Sequence, residues 1–212
     1  MNIGIFRIRG GFARRFLGAP LAVAATALLI SSAARAEQAA VDVVRQYQAA
    51  LVATMQQGGG YDARYRALQP PIVKAFDLGF IAQRAAGPGW DKFSEPQRKR
   101  YLEAFARYSV AQHASRFKKF DGERFEVLGT DDVGRGYVRV RTQIVTGSGE
   151  RVQLDYLMGQ RAGGWRIVDV FAKGTISEVA TRRADFASAI QSGGADGLIR
   201  ELENKIAAAK SS

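Results

Sequence analysis

The chain has 212 residues, with 31 Lys+Arg, 20 Asp+Glu, one histidine and no cysteine. That length suits one ordinary domain with a sizeable core plus a short extra segment. Without cysteine there are no disulfides, thiolate metal sites or lipidated cysteines, and one histidine, His113, is too few for the several His or Cys ligands of a transition-metal centre.

The extra segment is the N-terminus. Met1 to Ala36 carries Arg7, Arg9, Arg14, Arg15 and Arg35 but no acid, then an apolar run from Leu17 to Ile30, then Ala34-Arg35-Ala36. A charged start, a short apolar run and a small-residue close predict a signal peptide, residues 1–36, cleaved after Ala36. The run is shorter than the ~20 apolar residues of a membrane span. Arg14-Arg15-Phe16-Leu17 leaves both Sec and twin-arginine export open. Removing five arginines leaves 26 basic against 20 acidic residues, net +6 over residues 37–212. The basic residues are interleaved with acids, as in Glu123-Arg124-Phe125-Glu126, so no nucleic-acid partner is expected. A mild positive surface suits anionic membrane headgroups or simple solubility.

In chain order, Glu37 to Met55 reads as a helix with Val41, Val44, Leu51 and Met55 on one stripe, stopped by Gly58-Gly59-Gly60. A short helical piece, Tyr61 to Leu68, is predicted to break at Pro70-Pro71, and Ile72 to Ala86 reads as the next helix. Ser94-Glu95-Pro96-Gln97 is a capping box that opens a long helix to about Phe117, with Tyr101, Phe105 and Tyr108 on one face. The period then drops to two. Arg124 to Leu128 is a short strand, and Asp131-Asp132 falls in a loop. Tyr137 to Thr146 alternates Val138, Val140, Thr142 and Ile144 against Arg139, Arg141 and Gln143. Arg151 to Gln160 alternates Val152, Leu154, Tyr156 and Met158 against Gln153 and Asp155. Trp165 to Ala172 follows another Gly-rich turn. Thr175-Ile176-Ser177-Glu178 reads as a second capping box for a helix to Gln191, and a last helix runs from Asp196 to Lys210 with Leu198, Leu202 and Ile206 aligned. Helices, an antiparallel meander of about four strands, then helices predict one α+β domain with one sheet face covered.

Chemistry is sparse. There is no nucleophile elbow, phosphate loop or dinucleotide fingerprint, and no cofactor is expected. His113 lies inside the long helix and reads as a packed or polar-face residue. Asp169 stands between Val168 and Val170 in an apolar strand; it reads as a helix-capping or arginine-paired carboxylate, with an acid–base role as the alternative.

Trp165-Arg166-Ile167-Val168-Asp169-Val170-Phe171, then Gly174-Thr175-Ile176-Ser177 and Arg182-Arg183-Ala184-Asp185-Phe186, resemble the MlaC (toluene-tolerance) family of periplasmic lipid-binding proteins. Phe76-Asp77 and the Tyr108–Phe125 stretch add to the likeness, which covers nearly the whole mature chain and is nearest the hopanoid-associated HpnM branch. The resemblance implies a non-enzymatic periplasmic carrier. It would bind a phospholipid or hopanoid-type lipid in a pocket between helices and sheet. Its partners would be an inner-membrane ABC-type complex or lipid exporter and an outer-membrane acceptor. The layer placement nominates Tyr101, Phe105, Tyr108, Val138, Val140, Ile144, Val152, Leu154, Tyr156, Ile167, Val168 and Val170 as pocket residues. Two rivals stand beside it. One is a cone-shaped enzyme resembling ketosteroid isomerases, with Asp169 as base and Tyr156 or Tyr108 as donor. The other is a ligand-free adaptor with a filled core and an exposed apolar patch.

Overall fold

Residues 21–211 are described in the computed structural model, with side chains from Arg35 onward. Residues 1–20 of the expected signal segment lie outside the described residues, and among those described no helix is long and apolar enough to cross a membrane. The unit considered below is Ala36–Ser212.

Helix α1 (Leu21–Gln57) buries Val41, Val44, Leu51 and Met55 as the stripe predicts, and Tyr47 and Gln48 with them. Gly58 and Gly59 end it at φ of 66° and 92°, where a side chain would be strained. Helix α2 (Tyr61–Ala75) does not break at Pro70-Pro71; both prolines lie inside it. The two missing amides strand the carbonyls of Arg66 and Ala67, but both residues are exposed, so water can serve them. The buried stripe of Arg64, Leu68, Ile72 and Ala75 carries the helix across. The expected helix from Ile72 to Ala86 is in fact divided. Phe76 is extended and bridges Ile167, Asp77 N donates to Ile167 O at 2.9 Å, and the Asp77 carboxylate caps α3 (Leu78–Ala86) by accepting from Phe80 N at 3.0 Å. Apolar periodicity runs straight through this joint, so the pattern alone hid it.

A 3₁₀ turn (Gly87–Lys92) leads to α4 (Glu95–Arg116). The Ser94–Gln97 capping box forms in both directions, with Gln97 N donating to Ser94 Oγ at 3.4 Å and Ser94 N to Gln97 Oε1 at 3.0 Å. At the far end Arg64 reaches from α2 and donates to Ala114 O at 2.8 Å, satisfying a terminal carbonyl.

The sheet is an antiparallel meander in the order β1-β2-β3-β4-β5: β1 Arg124–Gly134, β2 Tyr137–Val145, β3 Arg151–Arg161, β4 Gly164–Ala172 and β5 Ile176–Ser177. The fifth strand is two residues long and was not expected. Strand β1 runs past Leu128 and takes in Asp131 and Asp132, which pair with Arg139 and Val138 and so are not in a loop. Register shifts leave Leu128 and Val133 as extra residues, each 46% exposed, which is why the alternation there is hard to read.

On β2 and β3 the predicted faces hold at the centre. Val138, Val140, Tyr156 and Met158 are buried. Ile144, Val152 and Leu154 are only half-buried, whereas Val145 is buried. Asp155 alternates with the apolar side chains of β3, as the sequence pattern has it. It lies on the outer face but is 1% exposed, accepting from Thr142 N at 3.2 Å and from Gln153 Nε2 at 3.0 Å. Helix α5 (Glu178–Ser211) packs on α4 and β4. Its cap is Ser177, whose Oγ accepts from Ala180 N at 3.0 Å, so the expected box led by Thr175 does not form. The predicted break at Ser192-Gly193-Gly194 is a kink at Gly194 (φ 57°, ψ −144°) between two helical halves.

Candidate functional site

The aromatic stripe of α4 and the covered face of the sheet belong to one packed cluster. Tyr101, Phe105 and Tyr108 form a chain of rings with centroids 6.0 and 6.1 Å apart, joined by Phe93 at 5.8 Å from Tyr101 and Phe186 at 6.1 Å from Tyr108. Tyr101 donates its hydroxyl proton to Ala82 O at 2.8 Å. Burial pushes the Tyr101 and Tyr156 hydroxyls well above the usual phenol range. From the sheet come Val138, Val140, Tyr156 and Ile167, in the same packed cluster, with Leu154 and Val170 against its edge. Ile144 and Val152 do not join it. Val168 is turned away. The β3–β4 register slips between Leu157 and Met158, so Val168 is the additional residue, and it lies with Tyr137 and Leu157 beside a separate cavity of about 330 Å³ on the outer face.

Sequence reasoning missed the residues that knit the two layers. Tyr47 stands 5.0 Å from Phe76 and 6.0 Å from Tyr156, and the fully buried Phe186 meets the Phe105 and Tyr108 rings at 6.5 and 6.1 Å. Tyr47 sits three residues after Val44, so the α1 stripe could have found it. Phe105, Val140, Met158 and Ile167 are each 0% exposed, so no space large enough for a water molecule touches them. The layers are closed on each other here, and open volume lies at their margins.

One margin is a cavity of about 520 Å³ between the C-terminal half of α4 and both ends of α5. Tyr108, Gln112, His113 and Arg116 line it from α4, Glu178, Thr181, Arg182 and Asp185 from the start of α5, and Lys205 and Ala209 from its end. His113 is the hinge between this polar space and the rings. Its Nδ1 lies 2.7 Å from Ser109 O, and its ring stacks on Phe117 and meets Tyr47 and Phe76 edge-on. Burial lowers its pKa to about 4 despite the Ser109 hydrogen bond, with Arg182 and Arg116 lowering it further, so it is neutral at pH 7.

Asp169 is occupied elsewhere. Oδ1 accepts from Val170 N at 2.8 Å and Val179 N at 3.1 Å, and Oδ2 from Ser177 Oγ at 2.6 Å. It caps α5 on the outer face, while Tyr156 and Tyr108 belong to the covered side. Among the described residues no hydrogen bond joins Asp169 to Tyr156 or Tyr108, and Asp169 and Tyr156 fall on opposite faces of the sheet.

The described residues thus assemble a helical layer and a sheet packed in one apolar cluster, with a polar cavity at its margin. Residues 42–204 match the family described as MlaC protein, and the chain belongs to that family. Membership implies a non-enzymatic lipid carrier, and the family is periplasmic. No curated protein matches the chain. Among solved structures it is similar to a phospholipid-binding protein from Ralstonia solanacearum, determined in complex with a phospholipid. The identity is 20%, the TM-score 0.69, and the match covers 82% of this chain and 98% of that one. At that identity the likeness is one of fold.

Proposed function

We propose that this protein is a carrier that takes one membrane lipid between its helical layer and its sheet and shuttles it between the inner and outer membranes. It is exported with Met1–Ala36 removed, exchanges its cargo with an inner-membrane ABC-type complex or lipid exporter, and delivers to or collects from an outer-membrane acceptor. The cargo is a phospholipid or a hopanoid-type lipid. The observation that carries this reading is the family match over residues 42–204, set beside an interface of rings and aliphatic side chains that holds no catalytic pair.

The energetics fit a carrier. Burying a CH₂ group is worth about 0.8 kcal/mol, so some 30 of them give an upper bound of roughly 24 kcal/mol, beyond the practical ceiling on non-covalent affinity. The same burial is available in a bilayer, so the net preference for the protein is small while escape into water is not. Because the centre of this cluster is fully buried, loading requires the layers to part. The test is native mass spectrometry with lipid extraction on protein purified from its own periplasm. One lipid per chain is expected, and the extract names it. A mass equal to the bare chain in every preparation, with no lipid recovered, would overturn the reading in favour of the ligand-free adaptor.

A further inference from the structure

We infer that the 520 Å³ cavity between α4 and the two ends of α5 is an anion site for a phosphodiester, held by Arg182 and Arg116. In the carrier reading, on which this rests, that anion is the lipid headgroup.

Arg182 is the first ground. Its side chain is only 18% exposed, and its one ion pair is a loose 3.8 Å approach to Glu178. None of its five guanidinium donors has a hydrogen-bond acceptor among the described residues, although its charge lies 6.0 Å over the Phe105 ring. A half-buried guanidinium with unused donors favours any anion that reaches it, and its planar fork matches two oxygens of a phosphodiester. Arg116 is the second. It lines the same cavity, is exposed, and makes no ion pair among the described residues. Lys205 is held by Glu201 at 3.2 Å, so the two arginines face two carboxylates, Glu178 and Asp185, and His113 adds no charge at pH 7. These charges balance, so what draws an anion here is the hydrogen-bonding capacity of two guanidiniums that find no acceptor among the described residues.

Position supplies the third ground. Tyr108 belongs both to the cavity wall and to the aromatic stripe, and Arg182 stands over Phe105 in that stripe. The charged space therefore abuts the apolar interface at one point, the arrangement an amphiphile needs where headgroup meets chain. A lipid with a neutral head gains nothing from these arginines, so they set selectivity for charge.

The test measures binding of three probes to the lipid-stripped protein: dihexanoyl-phosphatidylglycerol, dihexanoylglycerol and glycerol 3-phosphate. R182Q and R116Q should each weaken phosphatidylglycerol at least tenfold and leave dihexanoylglycerol within twofold. R182K should recover part of the loss. R116Q changes an exposed residue, so it reports even where R182Q folds poorly. If glycerol 3-phosphate binds as tightly as phosphatidylglycerol, through the same arginines, while dihexanoylglycerol does not bind, the anion site stands and its source is a free phosphate ester; the carrier reading then fails. If phosphatidylglycerol is unmoved by either variant, or falls in step with dihexanoylglycerol, the anion site is wrong and the carrier reading survives. Failure of all three probes to bind the unaltered protein overturns both.

Discussion

Two residues whose neighbours set their behaviour can be tested singly. Asp169 accepts from Val170 N, Val179 N and Ser177 Oγ, so Asp169→Ala should cost about 1–2 kcal/mol, as loss of a helix cap does, without changing lipid bound per folded molecule. Urea titration checks the first part, and a fall in lipid at unchanged stability would return Asp169 to the candidate chemistry. His113 gives a pH signature. Its pKa is about 4 in the folded chain against an ordinary value near 6.5, so below pH 6.5 the unfolded state binds more protons. Stability should therefore fall as pH drops from 6.5 to 4 and level off below. The loss is on the order of 3 kcal/mol, each tenfold weakening of proton binding being worth about 1.36 kcal/mol. His113→Phe should flatten that part of the profile, measured by chemical denaturation across the range. The identity of Asp169 as a cap was legible, since a carboxylate in an apolar strand needs a partner. The depth of His113 was not, because it depends on Tyr47, Phe76 and Phe117 arriving from α1, the α2–α3 joint and the end of α4.

At the scale of elements, local signals that carry their own partner were readable. The Ser94–Gln97 box, the glycine stop after α1 and the β2–β3 alternation each depend on residues within a few positions. What failed depended on distant packing. Pro70-Pro71 sits inside α2 because the buried residues on either side of the pair outweigh two lost hydrogen bonds on an exposed face. Asp77 divides a periodic run because Ile167, far away in the sequence, accepts its amide, and because Arg161 pairs with its carboxylate at 2.7 Å. The kink in α5 is the testable element. Gly194 holds φ 57° and ψ −144°, a region that side chains avoid, and a methyl group built there meets nothing within 4 Å. Gly194→Ala should thus destabilise through backbone strain alone, by about 1–3 kcal/mol. A thermal midpoint equal to the parent's would mean that the two halves of α5 can straighten without penalty.

For the molecule as a whole, the question is whether the closed interface is a resting pocket or an ordinary core. The candidate residues were legible as a layer, because helical spacing and strand alternation each nominate one face. Which of them press together was not, because the bulge at Val168 and the half-covered ends of β2 and β3 depend on how the sheet meets the helices. Val140 and Leu154 separate the alternatives. Val140 is 0% exposed at the centre of the cluster, whereas Leu154 is half-buried at its edge. Val140→Phe should overpack the closed form and lower the midpoint, the usual penalty being about 1–3 kcal/mol, while also displacing lipid. Leu154→Trp has room at the margin, so its midpoint should move little. Yet the larger ring stands where the layers must part, and bound lipid per folded molecule should drop severalfold. Both quantities can be read on the same samples by thermal unfolding and quantitative lipid extraction. If Leu154→Trp lowers the midpoint as sharply as Val140→Phe while lipid per folded molecule stays constant, these side chains are plain core. The lipid then enters by another route, and the margin at Tyr108 and His113 becomes the place to look for it.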